Sequence, residues 1–190
     1  MISFEEDLSA CLKVLRAGGL ILYPTDTIWG IGCDATNEQA VKRIYQLKQR
    51  EESKSMIVLL ADDRSILQYI AAPDVEVFDY LENLTKPTTI VFDGALGLAE
   101  NLINADGSIG IRVVKEDFCR HLVKRLGKPL VSTSANISGK PSPQLFANIE
   151  ESIKQGVDYV VHYRRDETKV ASPSTIVRWE EGGRYTVIRP

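Results

Sequence analysis

Residues 18–33 have the sequence GGLILYPTDTIWGIGC, and this stretch decides the class of fold. Its apolar run, 20–23, lies between a glycine pair and Pro24, which is typical of a short buried strand. Hydroxyls, a carboxylate and glycines follow at once, and such residues at a strand end let a ligand approach the backbone closely. A turn in which Asp26 and Thr27 bond to their own backbone explains the same residues without a ligand. The stretch therefore predicts a buried strand followed by a polar loop, 24–37, with both interpretations of that loop left open.

Helix and strand patterns alternate along the rest of the chain. Ser3 and Glu6 form the capping-box pattern of a helix N-terminus, and Gly18 and Gly19 are expected to end that helix. The interleaving predicts an α/β fold, a mixed sheet covered by helices, in a single domain of residues 1–190. Further helices are predicted at 37–48, 63–70, 74–83, 116–126 and 145–153, and further strands at 56–60, 89–92, 108–113, 129–132, 159–162, 175–179 and 185–189.

The composition is that of an ordinary globular protein and argues against several classes. The chain has 190 residues, 44% hydrophobic and 26% charged, and no apolar run approaches the roughly 20 residues that span a bilayer. The N-terminus has no secretory signal pattern, and the three cysteines are widely spaced, so we expect reduced thiols and a cytoplasmic protein. A net charge of -3 argues against nonspecific coating of nucleic acid, and two distant histidines argue against a zinc site.

The helix predicted at 37–48 ends in a cluster of cations. Lys48 lies four residues after Ile44, so it continues the apolar face of the helix, where its ammonium must reach solvent or meet an anion. Arg50 and Lys54 follow closely enough to converge on the same place. Such a cluster suits phosphate or carboxylate ligands, although favourable charge at a helix C-terminus explains it equally well.

A second polar loop follows the strand predicted at 129–132. Residues 132–143, STSANISGKPSP, combine hydroxyls, an amide and backbone N–H groups that can cradle phosphates. The loop has neither a Walker phosphate-loop pattern nor a Rossmann glycine pattern. A long polar connection is the alternative explanation, and the loop alone does not choose between the two.

Taken together, these segments resemble the YrdC family of threonylcarbamoyl-AMP synthases. The pair Lys48-x-Arg50 followed by Ser134-x-Asn136 is similar to the family signature. Further blocks follow the family's order: YPTDT (23–27), GIG (30–32), SIGIRV (108–113), SANISG (134–139) and STIV (174–177). The resemblance implies a YrdC-like twisted mixed sheet around a concave basic cavity. It also implies the short bacterial TsaC type, without the additional C-terminal domain of longer relatives.

The resemblance implies a nucleotidyl transfer. Family members make threonylcarbamoyl-AMP and pyrophosphate from L-threonine, bicarbonate and ATP, with Mg2+ accompanying the ATP, and no protein ligand for the metal is predicted. Partner proteins then transfer the threonylcarbamoyl group to tRNA, and RNA binding by the chain itself is left open. Positioning and electrostatics govern such transfers, so the absence of a catalytic His or Cys pair is no objection.

The resemblance also implies a role for each matching residue. Lys48 and Arg50 are expected to be catalytic, and replacing either by alanine is expected to remove most activity while leaving the fold intact. Arg112 is expected to pair with the threonine carboxylate. The implied ATP-binding residues are Lys48, Arg50, Ser108, Ser132, Ser134, Asn136, Ser142 and Arg189, and the implied threonine-binding residues are Thr25, Arg112 and Ser174.

The chain departs from the family pattern at several positions. Glu51 stands where a proline is common, Ser55-Met56 where Pro-Leu is common, and Pro87-Thr88-Thr89 where Pro-Leu-Thr is more usual. These changes affect loop stiffness more than charge and leave room for a paralogue, and a basic cavity could also accept an RNA backbone, so two alternatives stay open. One is a YciO-like paralogue with another reaction, and the other is a non-catalytic RNA-binding maturation factor, which would bind RNA in a salt-sensitive way without consuming ATP.

Overall fold

A nine-stranded mixed sheet forms the centre of the computed structural model, which describes residues 2–52 and 56–190. In chain order the strands are β1 (Ile21–Tyr23), β2 (Gly30–Gly32), β3 (Ile57–Leu60), β4 (Thr88–Phe92), β5 (Ile109–Val113), β6 (Leu130–Ser134), β7 (Tyr159–Val160), β8 (Thr175–Glu180) and β9 (Arg184–Arg189). Across the sheet they lie in the order β7-β1-β2-β6-β3-β5-β4-β8-β9. The predicted α/β class with a mixed sheet is confirmed.

Helices flank this sheet in the described part of the chain: α1 (Phe4–Arg16), α2 (Glu38–Lys48), α3 (Ile66–Tyr69), α4 (Glu76–Glu82), α5 (Asp117–Leu126) and α6 (Glu151–Gly156). α1 begins at the predicted capping box, in which Glu6 N–H donates to Ser3 Oγ at 3.3 Å and Ser3 N–H donates to Glu6 Oε2 at 2.7 Å. It ends before Gly18, whose φ of +78° suits glycine. No helix of residues 2–52 and 56–190 combines the length and apolar character needed to cross a bilayer.

The prediction of a polar loop at 24–37 is wrong in one part, because β2 lies inside that range. β2 pairs antiparallel with β1 and β6 and is fully buried. Glycines weaken a strand, so a run with glycine at both ends carries little strand signal. Glycine is needed at position 32, because a Cβ there would lie 2.7 Å from the Tyr23 ring and 2.7 Å from the Val131 carbonyl oxygen.

The helix predicted at 145–153 is also wrong. The chain forms a 3₁₀ turn at Phe146–Asn148, is extended at Ile149 and Glu150 with ψ of 128° and 142°, and enters α6 only at Glu151. Apolar residues four positions apart fit a single helix, and that spacing does not reveal the break. The break lets Ile149 enter the core, where it is 3% exposed.

The two faces of the sheet have different environments. Val58 and Ile111 pair across β3 and β5 and are buried in the hydrophobic core with apolar side chains of α1, α2 and α5. Successive side chains of a strand point to opposite faces. Their neighbours Ile57 and Arg112 therefore project from the other face, where both line a cavity.

Candidate functional site

A cavity of about 230 Å³ lies on this second face of the sheet. It is lined by residues of β2, β3, β5, β6, β8 and β9 and by residues just past the end of α2. The sequence-predicted residues that line it are Arg50, Arg112, Ser132, Ser134, Ser142, Ser174 and Arg189. Those outside its lining are Thr25, Lys48, Ser108 and Asn136. Lys54, expected beside Arg50, lies outside the described residues.

Arginines are the charged residues of the cavity lining in the described part of the chain: Arg50, Arg112 and Arg189. Arg50 reaches the cavity because Gln49 ends α2 in the left-handed conformation, with φ of 51°, and the Arg50 N–H then donates to the Tyr45 carbonyl oxygen at 2.9 Å. Burial, and then the charge of Arg112, lower the pKa of Arg189. An anion bound here would relieve this repulsion.

Arg112 is buried and incompletely bonded. Its side chain is 3% exposed, and Nη2 lies 3.1 Å from Asp26 Oδ1. Arg112 Nε and Asp26 Oδ1 have no hydrogen-bond partner among the described residues. Because an unsatisfied buried donor is costly, this guanidinium has the capacity to bind an anionic ligand in the cavity.

Lys48 occupies a different place from the one expected. Its ammonium meets neither solvent nor an anion but donates to the carbonyl oxygens of Ser134 and Asn136, the latter at 2.7 Å, and to Asn136 Oδ1 at 3.4 Å. Burial, and then the charge of Arg50, lower its pKa to about 7, while the three oxygen acceptors favour the ammonium. Ser138 N–H returns a bond to the Lys48 carbonyl oxygen at 2.7 Å. Lys48 thus ties α2 to the loop after β6, and its predicted contact with the triphosphate stays a prediction.

Asn136 and Thr25 are used within their own loops. Asn136 Nδ2 donates to the carbonyl oxygens of Ile137 at 3.1 Å and Lys140 at 2.6 Å. Thr25 Oγ1 donates to the Ile28 carbonyl oxygen at 2.7 Å and accepts from the Thr27 N–H at 3.0 Å. Both residues therefore shape polar loops whose neighbouring residues line the cavity, and their predicted ligand contacts stay predictions.

Ser108 lies away from the cavity lining, four positions from Arg112, which is about 13 Å along a strand. Its hydroxyl donates to Asp106 Oδ1 at 2.6 Å and accepts from Asn104 Nδ2 at 3.0 Å, so it braces the turn before β5. Its predicted contact with the nucleotide stays a prediction. Arg189 and Ser174, by contrast, both line the cavity, and Arg189 Nε and Nη2 donate to the Ser174 carbonyl oxygen at 3.1 and 2.8 Å.

Several lining residues were not singled out from the sequence. Thr27 and Trp29 belong to the quoted stretch, and their position beside Thr25 could have indicated them. Trp29 packs against Phe146 with ring centroids 4.8 Å apart, a contact between distant segments for which the sequence has no signal. Within residues 2–52 and 56–190 no group of three or more His, Cys, Asp or Glu side chains is arranged to hold a metal ion.

The protein is thus of the α/β class, and its mixed sheet carries a cavity lined by three arginines in the described part of the chain. A family model, Sua5_yciO_yrdC, described as "Telomere recombination", matches residues 13–190. The chain belongs to this family.

Individual relatives and solved structures also resemble this chain. The threonylcarbamoyl-AMP synthase of Idiomarina loihiensis is 32% identical over 164 residues, which are 84% of this chain and 86% of that protein. P. abyssi Sua5 complexed with L-threonine has a TM-score of 0.86 at 22% identity, over 100% of this chain and 55% of that one. E. coli YciO has a TM-score of 0.83 at 22% identity, over 98% of this chain and 89% of that one. The chain spans little more than half of the Sua5 structure, and both structures share its fold.

Proposed function

We propose that the protein is a threonylcarbamoyl-AMP synthase, a nucleotidyltransferase that makes threonylcarbamoyl-AMP and pyrophosphate from L-threonine, bicarbonate and ATP. The observation that carries the proposal is a single cavity in which Arg50, Arg112 and Arg189 face serine hydroxyls. Arginine and hydroxyl donors together suit a phosphate chain and a carboxylate. The relative from Idiomarina loihiensis, which carries this name, supports the same activity.

The reaction joins two anions, and the cavity supplies the positive charge that this requires. The threonine amine and bicarbonate form a carbamate with the loss of one water molecule, and a carbamate oxygen attacks the α-phosphorus of ATP. The bond from that phosphorus to the β-phosphate oxygen breaks, and pyrophosphate leaves with the electron pair. Arg50 would stabilise the charge on the phosphates, and Mg2+ enters as part of the MgATP substrate.

The phosphate end of the substrate would lie against β6 and the loop after it. Ser132, Ser134 and Ser142 line this part of the cavity, and a serine hydroxyl can donate a hydrogen bond to a phosphate oxygen. Lys48 and Asn136 would hold the loop in place through the hydrogen bonds described above. Positioning of this kind accounts for much of the rate of nucleotidyl transfer.

The threonine end would lie at Arg112. This buried guanidinium can bind the α-carboxylate as a planar fork. Ser174, which is 3% exposed and shares a 2.8 Å contact between its Oγ and Thr89 Oγ1, lines the same cavity. Thr25 would act by shaping the turn that brings Thr27 to the ligand.

Later steps belong to other molecules in this proposal. The adenylate is a reactive mixed anhydride and would be consumed by cytoplasmic proteins that transfer the threonylcarbamoyl group to tRNA.

Pyrophosphate release from MgATP tests the proposal, measured with and without L-threonine and bicarbonate, with the adenylate identified by mass spectrometry. Release that needs both co-substrates is the expected result. No release from folded protein would reject it and favour a YciO-like reaction, since the YciO fold fits the chain nearly as well. RNA binding that weakens with salt, without ATP turnover, would instead indicate a maturation factor.

A further inference from the structure

The arginines of the cavity differ in their counter-charges. Arg112 Nη2 lies 3.1 Å from Asp26 Oδ1, and the two side chains are 3% and 12% exposed. Arg189 donates only to the neutral Ser174 carbonyl oxygen, and no carboxylate of residues 2–52 and 56–190 forms an ion pair with it. The charge of Arg112 is therefore neutralised by a buried partner, while Arg189 keeps its full positive charge.

We infer that Asp26 is a specificity-determining residue that makes the Arg112 end of the cavity accept a zwitterionic amino acid and reject simple anions. The inference rests on the proposed function, because it concerns the L-threonine site of that reaction. Asp26 acts through Arg112 and through its own negative charge, and no contact with the reacting atoms is assigned to it.

A guanidinium with no counter-charge would be a poor discriminator. In a partly desolvated cavity it attracts any anion that reaches it, because the low dielectric strengthens the interaction. The proposed reaction brings three competitors: the triphosphate, pyrophosphate and bicarbonate. With Asp26 at 3.1 Å, the pair carries no net charge, so the attraction of a lone anion to Arg112 is offset by repulsion from Asp26.

L-Threonine differs from these competitors because it carries opposite charges on adjacent groups. Its carboxylate is attracted to Arg112 while its ammonium is attracted to Asp26, so both charges of the pair favour it. Both partners retain bonding capacity, since Arg112 Nε and Asp26 Oδ1 lack hydrogen-bond partners among the described residues. Asp26 thus favours the amino acid at Arg112, and the phosphates would bind at other donors of the cavity, such as Arg189.

The position of Asp26 supports a role through charge. It lies in the connection between β1 and β2 and borders a second cleft of about 730 Å³ at the ends of β3 and β5. Its side chain is 12% exposed, while Oδ1, the atom that faces Arg112, is buried. Replacement by asparagine preserves the shape of the side chain and removes the charge.

Calorimetric titration of the wild-type protein and Asp26→Asn tests the inference with two ligands. These are L-threonine and 3-hydroxybutyrate, which has the carboxylate and hydroxyl of threonine but no ammonium. The wild-type protein should prefer L-threonine, and in Asp26→Asn the ratio of the two affinities should fall about tenfold or more. Asp26→Glu keeps the charge and should keep the ratio. Asp93→Asn, which removes a carboxylate paired with Arg178 at 2.6 Å and outside the cavity lining, is the matched control and should also keep it.

A folded Asp26→Asn protein with both affinities unchanged, or with both lowered equally, would overturn the inference, since that pattern indicates a purely structural role. If Asp26→Asn does not fold, inhibition of the wild-type protein by inorganic phosphate is measured instead. Inhibition competitive with ATP alone supports the inference, and inhibition competitive with L-threonine contradicts it. Normal wild-type turnover with an unchanged ratio removes the inference alone, whereas wild-type protein that neither binds L-threonine nor releases pyrophosphate removes the proposed function as well.

Discussion

Replacing Lys48 by methionine tests whether this buried lysine acts on the protein or on the substrate. The side chain is 1% exposed, and its ammonium donates to three oxygens of Ser134 and Asn136. Methionine keeps an unbranched chain of similar length and removes the charge and the donors. A Lys48 variant is therefore expected to lose stability as well as activity, whereas the sequence alone predicts a loss of activity only.

The structure sets the size of the effect. Hydrogen bonds from a charged donor contribute about 1.5–3 kcal/mol each, so three contribute roughly 5–9 kcal/mol before opposing terms. Burial, and then the charge of Arg50, lower the pKa of Lys48 from 10.5 to about 7. At about 1.4 kcal/mol for each tenfold change in ionisation, this costs the ammonium about 5 kcal/mol. Since the carbonyl oxygens also lose their donor, we expect Lys48→Met to lower the free energy of unfolding by about 2–4 kcal/mol.

Urea unfolding followed by tryptophan fluorescence measures this loss, and L-threonine-dependent pyrophosphate release measures turnover. Lys140→Met is the matched control, because Lys140 Nζ pairs with Glu150 at 2.9 Å on the surface and its loss should cost less than about 1 kcal/mol. Lys48→Met should lose stability and turnover together, whereas Arg50→Met should lose mainly turnover. A Lys48→Met protein with wild-type stability but no turnover would refute the reasoning and assign the ammonium to the substrate.

Three further predictions concern other parts of the molecule. Arg112→Lys should raise the KM for L-threonine about tenfold or more and leave the KM for ATP nearly unchanged, because lysine cannot form the planar fork; equal changes in both constants would contradict this. Gly32→Ala should lower the free energy of unfolding by about 3 kcal/mol, because the new Cβ would lie 2.7 Å from the Tyr23 ring, and a wild-type urea midpoint would argue against it. Burial raises the pKa of Asp7, but hydrogen bonds, led by the one from the His162 backbone N–H, lower it by more than burial raises it. The pKa of Asp7 in the folded protein therefore lies below its value in the unfolded chain. The stability that Asp7 contributes is thus present above its unfolded pKa and lost as the pH falls through the folded pKa, and Asp7→Asn should show less loss of stability than the wild type as the pH falls from about 5 to about 2.

Elements with local causes could be predicted from the sequence. The capping box at Ser3 and Glu6 and the left-handed Gly18 set the ends of α1 within a few residues. Apolar runs bounded by glycine or proline located most strands, because burial and turn chemistry act on neighbouring positions. Seven of the cavity residues were also foreseeable, because their order along the chain resembles a known family.

Contacts between distant segments could not be predicted from the sequence and are known from the folded structure. β2 exists because its glycines let it pair closely between β1 and β6, and no local propensity indicates that pairing. The contact of Lys48 with Asn136 joins residues separated by 88 positions. The direction of the Lys48 side chain therefore depends on acceptors that only the folded chain brings close to it. The same holds for Asp26 and Arg112, whose charges interact because the connection after β1 lies beside β5. Local sequence sets backbone preference over a few residues, whereas the partner of a buried charge is set by the packing of the whole sheet.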